Sequence, residues 1–82
     1  GVEFTPEGYH LICGNKDRPG IIGDIGTVLG RKCINIAHMN WARKAPGGDA
    51  IVILRTDDKV DEATLEEVKK IKGIQWAAHV EL

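Results

Sequence analysis

The first sustained pattern is YHLICGNK, residues 9–16, which reads as a strand that runs into the polar turn NKDRPG, with Pro19 and Gly20 as its punctuation. From Gly20 to about Lys32 the period changes. Ile21, Ile22, Ile25, Val28 and Leu29 recur at three- and four-residue steps and predict a helix with one apolar side. Gly23, Gly26 and Gly30 form a second stripe on the same wheel, and Asp24, Thr27 and Arg31 fall on a third, polar side. Each interior glycine costs a helix about 1 kcal/mol relative to alanine. The stripe therefore predicts close approach to a neighbouring backbone, either the second helix or a twin domain, where packing offsets the cost.

CINIAHMNWAR, residues 33–43, is rich in β-branched and mixed polar residues, and its alternation breaks midway, which predicts a bulge or a sheet edge. The cluster KAPGGD and the run AIVILRTD complete a hairpin around Pro46, Gly47 and Gly48. The unbroken Ala50–Leu54 suits a central strand covered on much of both faces. A second helix is marked by Asp61 as a cap, by Glu62, Glu66 and Glu67 preceding Lys69, Lys70 and Lys72, and by Gly73 as a stop; Leu65, Val68 and Ile71 form its buried stripe. GIQWAAHVEL then alternates Ile74, Trp76, Ala78, Val80 and Leu82 against Gln75, Ala77, His79 and Glu81, the pattern of a half-buried strand. The order βαββαβ, with short right-handed connections, predicts a ferredoxin-like α+β fold: a four-stranded antiparallel sheet with both helices on one face. The other face is left for something else.

Composition narrows the function. A chain of 82 residues forms one modest core, too small for a dinucleotide-binding domain beside a substrate domain. Residues 1–7 read as a linker entering a domain that spans 8–82. A net charge of −1 with eleven scattered Lys and Arg excludes a basic nucleic-acid or membrane surface. No apolar run approaches the roughly 20 residues that span a bilayer. Two cysteines in unlike contexts make a poor disulfide framework and suit a reducing, cytoplasmic setting.

The turn NKDRPGII holds the most chemistry. A helix N-terminus offers unpaired N–H groups and a partial positive charge, so the groups of Gly20, Ile21 and Ile22 suit a carboxylate or phosphate, with Pro19 stiffening the approach. Asn15 and Asp17 beside them offer an amide and a carboxylate to an ammonium group, and together the two halves describe a free amino acid. The competing reading is that Asp17 caps the helix and Arg18 is solvated. Asn35, flanked by apolar residues, is a further candidate able to complete the site across an interface, or else a structural or edge amide. Trp41 and Met39 are expected on the open face of the sheet, as a subunit interface.

Other chemistries fit less well. His10 with Cys13, and Cys33 with His38, stand at odd spacings that send strand side chains to opposite faces, so no metal site is expected. The glycines read G-x-x-G-x-x-G with no acidic partner on the following strand, which is not the dinucleotide pattern. The third strand lacks the aromatic stackers of single-strand RNA binders. There is no serine, and neither cysteine has an evident histidine partner in sequence. A small anhydride hydrolase using Arg18 and Asn35 stays open as an enzyme alternative.

The segment from NKDRPGII through INIA to RKAPGGDA resembles the ACT domain, the small-molecule sensor attached to enzymes of amino-acid metabolism. Together with PEGYHL and GIQWAAHVEL it is most similar to the C-terminal regulatory domain of the long-form D-3-phosphoglycerate dehydrogenase family, with iron–sulfur L-serine dehydratases as runner-up. The resemblance implies feedback sensing of L-serine by a non-catalytic domain, bound between two copies that pair through their second strands and first helices. It also implies that NAD belongs to the parent enzyme and not to this domain. Its motif places effector contacts at Asn15, Asp17, Pro19, Gly20, Ile21, Ile22, Asn35 and Ile36. Asn15 stands where some members have His, and Asp17 where serine-sensing members often have Asn.

Overall fold

The computed structural model describes residues 8–43 and 45–82; the expected linker over 1–7 lies outside them. The elements are β1 (Tyr9–Lys16), α1 (Ile21–Arg31), β2 (Ile36–Arg43), β3 (Asp49–Thr56), α2 (Glu62–Lys69) and β4 (Ile74–Glu81). The strands form one antiparallel sheet in the order β2-β3-β1-β4. This is the ferredoxin-like arrangement that the βαββαβ order requires.

Alternation assigns the two faces of the sheet. Leu11 and Cys13 of β1 oppose Leu54 and Val52 of β3, and all four are buried with Ile21, Ile25 and Leu29 of α1 and Leu65 and Val68 of α2. The second helix begins as expected: the Asp61 carboxylate accepts the Thr64 N–H at 2.8 Å, which satisfies one of the amides a helix start leaves unpaired. Burial pushes the Cys13 thiol up to about 11, and Cys13 and Cys33 are both free. No helix among the described residues is long and apolar enough to cross a membrane.

Several expectations are corrected. The run Ala50–Leu54 is central in the sheet but covered on one face only: Ala50, Val52 and Leu54 are buried, whereas Ile51 and Ile53 are 46% and 38% exposed. In β4 the buried parity is Ala77 and half-buried His79, not the apolar set; Trp76 is 46% exposed. The helix side tolerates His79 because Glu62 of α2 pairs with its Nε2 at 2.9 Å. Trp41 and Met39 pair with Val52 and Leu54, so they lie on the helix side of the sheet. They are exposed because β2 is an edge that the helices do not reach.

The expected strand over 33–43 loses its first three residues to the exit of α1. Cys33 adopts the left-handed region at φ 58, and the Cys33 and Ile34 N–H groups donate to the Gly30 and Leu29 carbonyls at 3.0 Å each, closing the helix as a C-terminal cap does. Both readings of the broken alternation hold: β2 is an edge strand, with a register shift between Ile36 and His38. The glycine stripe has no neighbour among the described residues. A Cβ built on Gly23, Gly26 or Gly30 meets nothing within 4 Å, so the expected close approach to the second helix is not made.

Candidate functional site

The end of β1 and the start of α1 are stitched to the loops on either side. The Lys16 N–H donates to the Gly73 carbonyl at 2.9 Å and the Asp17 N–H to the Gly48 carbonyl at 2.8 Å. Gly20, at φ 85, is the N-cap of α1, a left-handed turn that glycine adopts without a Cβ penalty. No side chain caps the helix; Asp24 N–H enters the ladder on the Gly20 carbonyl at 2.9 Å.

Asp17 does not cap the helix. Its Oδ2 accepts Arg43 Nη1 at 2.7 Å and the Gly47 N–H at 3.2 Å, tying the turn to the β2–β3 hairpin. The Arg43 guanidinium lies over the Trp41 ring at 5.0 Å from its centroid, a cation–π contact between residues two apart on one strand face. Arg18 is not solvated either. Nε donates to the Lys72 carbonyl at 2.8 Å, Nη2 both to that carbonyl and to Asp24 Oδ2, the latter at 2.9 Å, and Nη1 to the Pro19 carbonyl at 3.0 Å. Gly73, at φ 98, leaves the space that the Arg18 guanidinium and Ile21 occupy; a Cβ there would stand 3.0 Å from Arg18 Nε and from Ile21 Cδ1.

These groups border a cleft of about 540 Å³ lined by the turn from Asp17 to Gly23, by Trp41 and Arg43, and by Pro46 and Gly47. Of the expected contacts, Asp17, Pro19, Gly20, Ile21 and Ile22 line it. Asn15 does not. It is fully buried on the helix side of β1, where Nδ2 donates to the Lys16 carbonyl at 2.9 Å and Oδ1 has no partner among the described residues. Asn35 and Ile36 lie at the opposite end of the sheet, since Ile36 pairs with Thr56 and Arg43 with Ala50. Seven strand steps of about 3.3 Å separate the two ends, roughly 23 Å. There Asn35 Nδ2 donates to Asp57 Oδ2 at 2.8 Å. The same separation parts Arg18 from Asn35, so the pair a hydrolase would need is not assembled within one chain.

Trp41 and Arg43 also line the cleft, although the sequence reading assigned Trp41 to a subunit interface and gave Arg43 no effector contact. Their signal is the W-x-R spacing, which puts an aromatic ring and a cation on one strand face beside a turn bearing a carboxylate. The cleft offers an anion the N-terminal end of α1 and an arginine whose charge is shared with Asp17. The Asp17 carboxyl is held below its usual range, chiefly by the Arg43 hydrogen bond and further by the Gly47 N–H. A depressed folded value means that the Asp17–Arg43 tie is fully present above the unfolded value of about 4 and is lost as pH falls through the lower folded value. In a Trp76→Phe background, which leaves Trp41 as the single tryptophan, its emission should stay constant from neutrality to about pH 4 and change only below. Asp17→Asn should abolish that acid step.

Residues 9–73 match the ACT domain family. The chain is 43% identical over 83 residues to D-3-phosphoglycerate dehydrogenase of Archaeoglobus fulgidus, covering 99% of this chain and 16% of that protein. It is 32% identical over 76 residues to a probable L-serine dehydratase beta chain of Bacillus subtilis, covering 90% of this chain and 34% of that one. The ACT domain from the GTP pyrophosphokinase of Chlorobium tepidum has the same fold, with a TM-score of 0.69 at 16% identity over 88% of this chain and 95% of that one. The chain thus spans about a sixth of the length of the dehydrogenase it matches. Sequence motifs, fold and family match agree, and the chain belongs to the ACT domain family.

Proposed function

We propose that this domain senses an amino acid, L-serine first among candidates, at an interface between two copies of itself, and so provides feedback control of serine biosynthesis as part of a D-3-phosphoglycerate dehydrogenase. The observation that supports it best is the division of the expected contacts between opposite ends of an exposed edge strand. Two β2 strands paired antiparallel about a two-fold axis bring the Ile36 end of one copy beside the Arg43 end of the other. Asn35 of the partner subunit then approaches the cleft of the first copy, and one ligand touches both. The long, open β2 edge is itself a pairing template. Within the cleft, the ligand carboxylate meets the N-terminal N–H groups of α1 and the Arg43 guanidinium, while the ammonium group is left to amide oxygens.

Occupancy favours one relative placement of the two copies, and a remote active site responds through that shift in population. The glycine spacing along α1 does not fit NAD, whose hydride chemistry resides in the remainder of the longer enzyme. The dehydratase relationship is a second reading of the parent at lower identity, 32% against 43%.

Calorimetric titration with L-serine, glycine and other amino acids, with mass in solution recorded alongside, tests the reading. Saturable serine binding by a dimer, lost in Asn35→Ala, is expected. A dimer that gives no heat with any amino acid would mean the fold is kept as an assembly surface without an effector.

A further inference from the structure

Among the described residues no element covers the apolar centre of the sheet face opposite the helices; His10, at one end of that face, is buried. By register the face carries Ile12, Ile51, Ile53, Trp76, Ala78 and Val80, of which Ile51, Ile53, Trp76 and Val80 are 37% to 46% exposed. Both ends of the face are polar. His10 opposes Arg55 at one end, and Lys16 Nζ holds Asp49 Oδ1 at 2.7 Å at the other. An apolar centre inside a polar rim is the anatomy of a protein interface.

We infer that this face packs against the same face of a second copy, sheet on sheet. Area favours this occupant. Four strands about 4.8 Å apart and eight residues long at about 3.3 Å per residue present roughly 500 Å². Two such faces bury about 1,000 Å², the lower bound for a specific interface. Joined edge to edge as proposed above, two copies form one continuous face of twice that size, and a pair of dimers then buries about 2,000 Å². The relief suits self-packing as well. The Trp76 indole lies on Gly14, whose missing Cβ would stand 2.0 Å from Nε1. Beside it is a hollow of about 410 Å³ with Gly14, Ala42, Ile51 and Trp76 among its lining residues. Ile53 and Val80 project from the same face, so a two-fold contact lets each copy supply both hollow and filling side chains.

The count of four copies rests on the β2-edge pairing; the face contact does not. Sedimentation equilibrium of the 82-residue chain, alongside Ile53→Lys and Ile51→Lys, separates the two. Both positions are exposed in the single chain, so lysine is compatible with the fold, and circular dichroism checks that it is kept. A tetramer that Ile53→Lys and Ile51→Lys each halve in mass is the expected result. A dimer that either lysine converts to a monomer keeps the face contact and removes the edge pairing. A dimer indifferent to both lysines, or a wild-type monomer, overturns the face contact.

Discussion

Replacing Gly23, Gly26 and Gly30 together by alanine is expected to stabilise the domain by about 2 kcal/mol, less than three times the mid-helix value because Gly23 and Gly30 lie near the helix ends. For a domain of this size that is roughly 8–16 °C in melting temperature. Each added Cβ enters open space, and alanine loses less backbone freedom on folding than glycine does. The sequence alone suggests the opposite sign, because a stripe of small residues at helical spacing implies a neighbour that alanine would obstruct. If melting falls and the mass in solution drops as well, the stripe packs against a twin domain in the assembly. Gly26→Leu sharpens this: its Cβ meets no described atom within 4 Å, so an unchanged mass in a variant that still folds would show that nothing docks on the stripe.

The elements could be read in the sequence because each has a local cause. Asp61 does cap α2, Pro19 and Gly20 do open α1, and Gly47 and Gly48 do turn the hairpin. Which face each strand buries was less legible. Apolar residues at Ile51, Ile53, Trp76 and Val80 look like core in a periodicity count, yet the two helices cover one face only, and the positions they cover in β4 include an alanine and a histidine. Periodicity reports that two faces differ; it does not report which has a partner. The site was legible in part for a related reason. The turn from Asp17 to Ile22 is contiguous and could be read directly. The role of Arg43 depends on strand register, which places it 26 residues away in sequence and 2.7 Å away in space from Asp17. Asn35 sits at the far end of the same strand, so motif spacing alone cannot say whether its site lies within one chain or between two.

Asn15→Asp is expected to have the largest effect, a loss of about 3–5 kcal/mol at neutral pH. The wild-type amide is fully buried, donates through Nδ2 to the Lys16 carbonyl, and leaves Oδ1 without a partner among the described residues. A carboxylate there forfeits the donor, faces the Lys16 carbonyl oxygen with like charge, and brings a full negative charge out of water. Burial raises the folded-state value of the new carboxyl above its unfolded value of about 4. The variant therefore keeps its stability below the unfolded value and loses it as pH rises through the interval up to the raised folded one. Thermal melts at acid and neutral pH should diverge from wild type only at the higher pH; equal stability at neutral pH would mean that the buried oxygen already has a cationic or donor partner. The same variant locates the ammonium end of the ligand. If that group reaches the oxygen at position 15, L-serine should raise the melting temperature of Asn15→Asp more than that of wild type, because it supplies the missing positive charge. An equal rise in both would confine the ligand to the surface cleft of Trp41, Arg43 and the α1 N-terminus, and would leave the unpaired Oδ1 of Asn15 as a stability cost unrelated to sensing.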